Sequence, residues 1–240
     1  MSTQSWSIVV LGYNEEASLV RVVDDVEALM RELAPTAYEI IVVDDGSTDG
    51  SARVIRERLA PRAHVRPIFH ARNLGIGEAL RTGYAAARLE NIVAVPADGQ
   101  FDIRELLPFA ELPPRTLISF TRRSMPSYSP FRRLVTRVSQ LLNERLAGLA
   151  LADPNWVKLW KRDDFLALGA LEIRSSLVQS EICAKLLAIG CTPHEPSSRY
   201  LARQNGTSRG VSAKIMLQAL RDVASLVRVV RAFRRVHRGS

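Results

Sequence analysis

Four short apolar runs, each ending in a polar turn, constrain the fold of this chain more than any other feature. WSIVVL at residues 6–11, YEIIVV at 38–43, VRPIF at 65–69 and IVAV at 92–95 are short and rich in β-branched residues, the pattern of strands buried on both faces. Between the first two, Leu19, Val22, Val23, Val26, Leu29, Met30 and Leu33 recur at spacings of three and four. That is one apolar face of a helix, and Pro35 closes it. The turns DDGSTDG (44–50) and NLGIG (73–77) lead into helical segments at 52–59 and 78–88; the first is rich in cap-forming residues. Repeated strand–helix alternation predicts an α/β fold: a mostly parallel sheet with helices on both faces.

In such a sheet ligands bind outside the carboxyl ends of the strands, so function is expected in the turns. The fourth strand runs into PADGQFD (96–102), with a helix-like segment beyond. Asp98 and Gln100 stand two residues apart and can turn their oxygens to one side. A hard divalent cation takes such a pair and draws its other ligands from water and a diphosphate. Taken alone the stretch reads first as a solvated turn; the neighbouring loops change that reading.

The second half is less regular. A strand is expected at 116–120, then a basic, proline-broken stretch to 133, a helix at 134–151 and a turn at Asp153-Pro154-Asn155-Trp156. A short strand at 157–160 precedes Asp163-Asp164, read as a surface turn. A helix at 177–189 stops at Gly190, and YLARQNGTSR (200–209) is a polar loop. In the tail, residues 212–236, Leu220, Val223, Val227 and Val230 form an apolar stripe widened by Leu217, Leu226 and Phe233. Lys214, Arg221, Arg228 and Arg235 recur every seventh residue on another face. Such a basic amphipathic helix suits a membrane interface and equally suits packing on its own domain or a second copy.

The 240 residues allow one large domain, and the net charge of +8 points to an anionic partner. Two cysteines, Cys183 and Cys191, provide no disulfide or zinc framework. The amino terminus lacks a secretory pattern, and no run is long enough to span a bilayer. The expectation is a cytoplasmic protein, soluble or peripheral on the inner face of the membrane. His64, His70, His194 and His237 have no metal-ligand spacing, Trp156 and Trp160 read as packing residues, and Glu181 reads either as a site residue or as a buried, paired carboxylate.

The loops VLGYNEE, VVDDGSTDG, ARNLGIGEALRTGY and VPADGQFD, in that order, resemble the family 2 glycosyltransferases of the GT-A fold. Within that family they look most like dolichol-phosphate-mannose synthases and bacterial polyprenyl-phosphate glycosyltransferases. The resemblance covers about residues 6 to 210 and implies a GT-A domain over 1–210, followed by a basic amphipathic helix over 211–240. It implies that Leu11, Tyr13 and Glu15 hold the nucleotide, that Val43 and Asp45 meet the base, and that Ala97 meets the nucleotide through its backbone. Asp98 and Gln100 are the implied ligands of Mg²⁺ or Mn²⁺. Where the family often has Asp-x-Asp-x-Gln, this chain has Pro96 in place of the first acid, which weakens either metal binding or nucleotide discrimination. Arg203 and Arg209, flanking Gly206-Thr207-Ser208, match the basic residues that meet the donor diphosphate. Asp153 matches a position near the active site, although Asn155-Trp156-Val157 departs from the family's usual Ser-Gly-Phe. Asp98, Arg122, Asp153 and Arg203 are thus the implied catalytic group. The implied acceptor-phosphate cations are Arg122, Arg132 and Arg133, with Arg123 and Arg137 beside them.

The implied reaction is an inverting, metal-dependent transfer of a hexose from a UDP- or GDP-linked donor to a polyprenyl phosphate. A lipid phosphate needs no general base, and no acidic pair stands on the helix expected to carry one for a hydroxyl acceptor. The alternative keeps the donor and uses a soluble acceptor such as a natural-product scaffold. A degenerate transferase that only binds its donor is a further reading, prompted by Pro96. A nucleic-acid-binding module has the pI in its favour, but no aromatic-rich basic platform and no recognised motif. A homo-oligomer is compatible with the tail.

Overall fold

The computed structural model describes residues 3–122, 149–201 and 213–237, side chains in the last stretch from Asp222 onward. Seven strands form the main sheet: β1 (Trp6–Gly12), β2 (Tyr38–Asp44), β3 (Val65–Phe69), β4 (Asn91–Pro96), β5 (Thr116–Ser119), β7 (Lys158–Lys161) and β8 (Thr192–His194). Their order is β3-β2-β1-β4-β7-β5-β8, and β6 (Thr121–Arg122) pairs separately with β9 (Ser197–Ser198). The first four strands are parallel. β7 runs antiparallel between β4 and β5, and β8 lies parallel to β5. The fold is the expected mostly parallel α/β sheet, interrupted by one reversed strand.

Alternation along the strands divides the core into two layers. Trp6, Ile8 and Val10 of β1 face the layer holding α1 (Leu19–Leu33), while Val9 and Leu11 face the other. The buried face of α1 is Leu19, Val22, Val23, Val26, Leu29, Met30 and Leu33, as its spacing predicts. On the second face lie α3 (Ile76–Ala86), α5 (Val178–Ala188) and α6 (Ala213–His237). Gly83 lets α3 close on β1, since a Cβ there would stand 2.2 Å from a methyl of Val9.

Several elements depart from their expected form. Only Ser51–Val54 of the second helix is α-helical (α2), and Ile55–Leu59 continues as a π turn. A 3₁₀ segment, Ile103–Phe109, follows the acidic loop, capped by the Asp102 carboxylate accepting from the Arg104 N–H at 3.1 Å. Asp163 and Asp164 belong to a short helix, α4 (Arg162–Leu166), and Asp164 is buried against Arg115 at 3.4 Å rather than in a surface turn. The helix expected at 134–151 lies outside the described residues up to 148, and residues 149–151 are not helical.

The tail helix α6 buries Val223, Leu226, Val229 and Val230 in the same cluster as Ile182 and Leu186 of α5. Arg228, Arg231 and Arg235 stay exposed on its outer side. The described part of the apolar stripe is therefore covered by protein. Among the described residues no helix is long and apolar enough to cross a membrane.

Candidate active site

The strand order reverses at β1: β2 and β3 lie on one side of it, and β4 on the other. Loops leaving β1 and β4 therefore diverge and open a crevice at their carboxyl ends. It holds a cavity of about 570 Å³ lined by residues 11–15, by Asp45, by Asn73, Gly75, Ile76 and Ala79, and by residues 96–98. A second cavity of about 590 Å³ adjoins it, sharing Tyr13 and Asn73 and including Ser47, Arg56 and His70.

The first two loops are tied to each other. Asn14, at φ 58°, receives a hydrogen bond from the Thr48 N–H at 2.8 Å, and its own N–H donates to Ser47 Oγ at 2.9 Å. The Glu15 N–H donates to Ser51 Oγ at 3.0 Å, and Glu16 accepts from the Gly50 N–H at 3.0 Å and from Arg53 at 3.1 Å. Asp44 is buried and accepts from the Ser47 hydroxyl and N–H. This lacing gives the Tyr13–Glu15 wall a fixed shape.

Asp45 is 4% exposed, and both its oxygens are engaged. Oδ1 accepts from the Leu74 N–H at 2.9 Å, Oδ2 from the Gly75 N–H at 2.9 Å, and His70 Nδ1 stands 2.8 Å from Oδ1. The residue expected to meet the base thus also builds the wall opposite it. Val43, assigned to the base with it, has no exposed surface and lines neither cavity. Leu11, Tyr13, Glu15 and Ala97 do line the first. The Ala97 N–H is given to the Leu11 carbonyl at 2.8 Å, which locks the acidic loop to the first.

In the acidic loop Asp98 Oδ1 accepts from the Gln100 N–H at 3.0 Å. Gly99 sits at φ 70°, where a Cβ would also meet the Arg21 guanidinium at 2.1 Å. The positive φ is what favours glycine there, since the tip of the flexible Arg21 side chain can move aside. This turn carries two partly exposed, oxygen-bearing side chains: Asp98 lines the cavity, while Gln100 lies just beyond its lining, with its amide nitrogen 3.5 Å from the Leu201 carbonyl. Among the described residues no three His, Cys, Asp or Glu side chains converge. The donor set fits a hard divalent cation that completes its shell with water and a diphosphate, and does not fit one held by protein alone.

Beyond the acidic loop lies a second cluster. Leu201 donates its N–H to the Gln100 carbonyl at 3.0 Å, and Phe101 bridges to Tyr200. Beside them Arg122 and Asp153 form a bidentate pair, Nε to Oδ2 at 2.7 Å and Nη2 to Oδ1 at 2.9 Å, only 12% and 7% exposed. The Arg122 guanidinium lies 4.7 Å from the Trp156 ring and 5.7 Å from that of Tyr200. Underneath, Lys158 is fully buried and donates to the carbonyls of Asp153 and Trp156 at 2.7 and 3.1 Å. Burial holds its ammonium below the ordinary lysine value. Arg122 and Asp153, named separately from the sequence, are thus one unit, and neither lines the cavity.

Glu181 is the buried, paired carboxylate: it meets Lys185 at 2.8 Å and accepts from the N–H groups of Glu172 and Ile173. Trp156 and Trp160 are both packing residues at 8% and 0% exposure. Arg203, Arg209, Arg132, Arg133, Arg123 and Arg137 lie outside the described residues. His70 and Lys158 received no site role from the sequence. Their partners stand elsewhere in the chain or are backbone atoms, so no local motif marks them.

A GT-A-like sheet with a nucleotide-sized cavity and an acidic turn at its switch point defines a class, and the comparisons place the chain within it. Residues 7–165 match the glycosyl transferase family 2, and the chain belongs to that family. Among curated proteins it is similar to the undecaprenyl-phosphate 4-deoxy-4-formamido-L-arabinose transferase of Sodalis glossinidius (strain morsitans), 32% identical over 64% of this chain and 47% of the relative. The protein of the same name from Pseudomonas fluorescens (strain SBW25) is 29% identical over 85% of this chain and 59% of the relative. The chain thus spans between 47% and 59% of the length of these two relatives. Among solved structures it superposes on mannosyl-3-phosphoglycerate synthase from Rubrobacter xylanophilus with a TM-score of 0.65, at 20% identity, over 98% of this chain and 75% of that one. Glucosyl-3-phosphoglycerate synthase from Mycobacterium tuberculosis, in complex with Mn²⁺, UDP-glucose and phosphoglyceric acid, gives 0.65 at 18% identity over 93% and 78%.

Proposed function

We propose that this chain is a glycosyltransferase that moves a hexose from a nucleoside-diphosphate sugar to a polyprenyl phosphate, with inversion and with a divalent cation. The observation that carries the proposal is the cavity at the β1/β4 switch point, walled by the cross-tied loops and lined by Asp98, with Gln100 in the same turn. Its position and volume suit a nucleotide. Both curated relatives carry the name undecaprenyl-phosphate 4-deoxy-4-formamido-L-arabinose transferase, which supports the polyprenyl-phosphate acceptor, while the sugar in that name is a pentose and not a hexose.

Breaking the sugar–phosphate bond leaves negative charge on the diphosphate, and groups placed where that charge develops lower the barrier. Asp98 and Gln100 would hold Mg²⁺ or Mn²⁺ there, and the bound cation supplies neutralisation of the leaving group. A phosphate acceptor is already an anion, so no side chain has to take a proton from it. Asp153 fixes the plane of the Arg122 guanidinium on the acceptor side, and the Trp156 and Tyr200 rings wall it. The catalytic part corresponds to residues 1–210. The segment 211–240 contributes a basic surface toward an anionic membrane through Arg228, Arg231 and Arg235.

A soluble acceptor is the second reading. One observation favours it: the described apolar stripe of α6 is covered by α5 and not offered to a bilayer. The donor half is tested by titration calorimetry with UDP- and GDP-sugars, with and without Mn²⁺, on the wild type and Asp98→Ala. Metal-dependent binding of one donor, weakened in Asp98→Ala, is expected. Binding indifferent to both metal and Asp98 would sink the assignment of the rim.

A further inference from the structure

Asn73 and Gly75, which line the cavity together with the Tyr13–Glu15 loop, belong to the short connection 73–75 that enters α3, where the Gly75 carbonyl accepts from the Ala79 N–H at 3.1 Å. The backbone of this connection is captured by one carboxylate: Asp45 takes the N–H of Leu74 on Oδ1 and that of Gly75 on Oδ2. Asp45 could not hold this aim on its own backbone bond to Gly12 alone, since its side chain rotates independently. His70 fixes it. His70 stands just past the end of β3, its backbone N–H donating to the Asp44 carbonyl at 2.9 Å. Nδ1 lies 2.8 Å from Asp45 Oδ1, and Nε2 lies 2.9 Å from Thr82 Oγ1 on α3. A carboxylate only accepts, so Nδ1 carries the proton toward Asp45. In the neutral ring Nε2 then accepts from the Thr82 hydroxyl. The imidazole side chain is 9% exposed and that of Asp45 5%, so water competes weakly for either bond.

We propose that His70 is a positioning residue for the nucleotide: with Thr82 it locks Asp45 in the orientation that holds the 73–75 turn against the cavity. Three of the roughly four acceptor directions of the carboxylate are used inside the protein. The fourth, on Oδ2, is held in a fixed direction for a donor group on the bound base. The lock joins the ends of β2 and β3 to the second turn of α3, so it fixes the wall with one side chain from each. The inference rests on the cavity being the nucleotide site.

The test is titration of UDP and of GDP, each with Mn²⁺, into wild type, His70→Asn, His70→Gln and Thr82→Val, with melting curves for each. The asparagine amide reproduces a donor at the Nδ1 position and reaches Asp45; the glutamine amide reproduces the Nε2 position and reaches Thr82. His70→Asn is expected to bind within about twofold of wild type, and His70→Gln about tenfold more weakly, the size of one lost hydrogen bond to a charged group. Thr82→Val is expected to fall between them. A merely structural ring would lower the melting point of both amide variants and leave their nucleotide affinities alike. Equal affinity in the two folded variants therefore overturns the inference. A wild type that binds neither nucleotide overturns the reading of the cavity, and the inference with it; that outcome is told apart because it needs no variant.

Discussion

Arg122 and Asp153 show what single residues contribute here. A bidentate pair with both partners nearly buried is costly to break, because the partner left behind keeps an uncompensated charge. Asp153→Ala should destabilise the fold by about 3–5 kcal/mol, read from denaturant midpoints, while Asp98→Ala at the part-exposed rim should leave the midpoint within about 0.5 kcal/mol. Similar midpoints for the two would contradict the geometry. Cys183 gives a pH signature. Burial pushes its thiol from an ordinary value of 9.0 up to about 11, against the pull of Lys158. A raised value in the fold means stability is complete below pH 9 and falls as pH rises from 9 toward 11, by about 2–3 kcal/mol at most. Cys183→Ala should flatten that limb in pH-dependent unfolding; an unchanged limb would assign it elsewhere. At this scale the sequence was partly legible. Asp98 and Gln100 stand out because they share one short turn. The link of Asp45 to His70 does not, because 25 residues separate two groups that meet only when β2 and β3 pair.

Elements were legible where periodicity was strong. The face of α1 follows from its apolar spacing alone, since each of those seven residues is buried. Its end carries a local conflict: Ala34 adopts φ 46°, left-handed, with its N–H on the Met30 carbonyl. Glycine is the usual residue there, so Ala34→Gly should raise stability by about 0.5–1 kcal/mol; a lower melting temperature would contradict the cap. The reversed strand β7 was legible as a strand but not in direction, because antiparallel pairing with β4 and β5 depends on the intervening chain path. The burial of Asp164 was hidden too, since Asp-Asp reads as solvated until Arg115 is brought beside it. For α6 the sequence left membrane and protein packing open. With Leu226 fully buried among α5 residues, Leu226→Ala should cost about 2–5 kcal/mol. A cost near zero would mean the helix is not part of the core.

The whole molecule sets a nucleotide-sized cavity at the sheet's switch point and an exposed row of arginines on α6, in a chain of net charge +8. If those arginines face an anionic bilayer, binding is electrostatic and needs no inserted apolar face. Each basic residue near such a surface is worth about 1 kcal/mol. The triple variant Arg228→Gln, Arg231→Gln, Arg235→Gln should therefore bind phosphatidylglycerol vesicles about a hundredfold more weakly in sedimentation, with donor affinity unchanged. Equal vesicle binding would remove the helix from the membrane account. The decisive assay is product formation: the donor selected by calorimetry, a short-chain polyprenyl phosphate and Mn²⁺, read by mass spectrometry, for wild type and Asp98→Ala. A glycosyl-phospholipid is predicted in the wild type, lost with chelator and strongly reduced in Asp98→Ala. Donor bound with metal but no lipid product, while a soluble acceptor is glycosylated, would contradict the proposed acceptor.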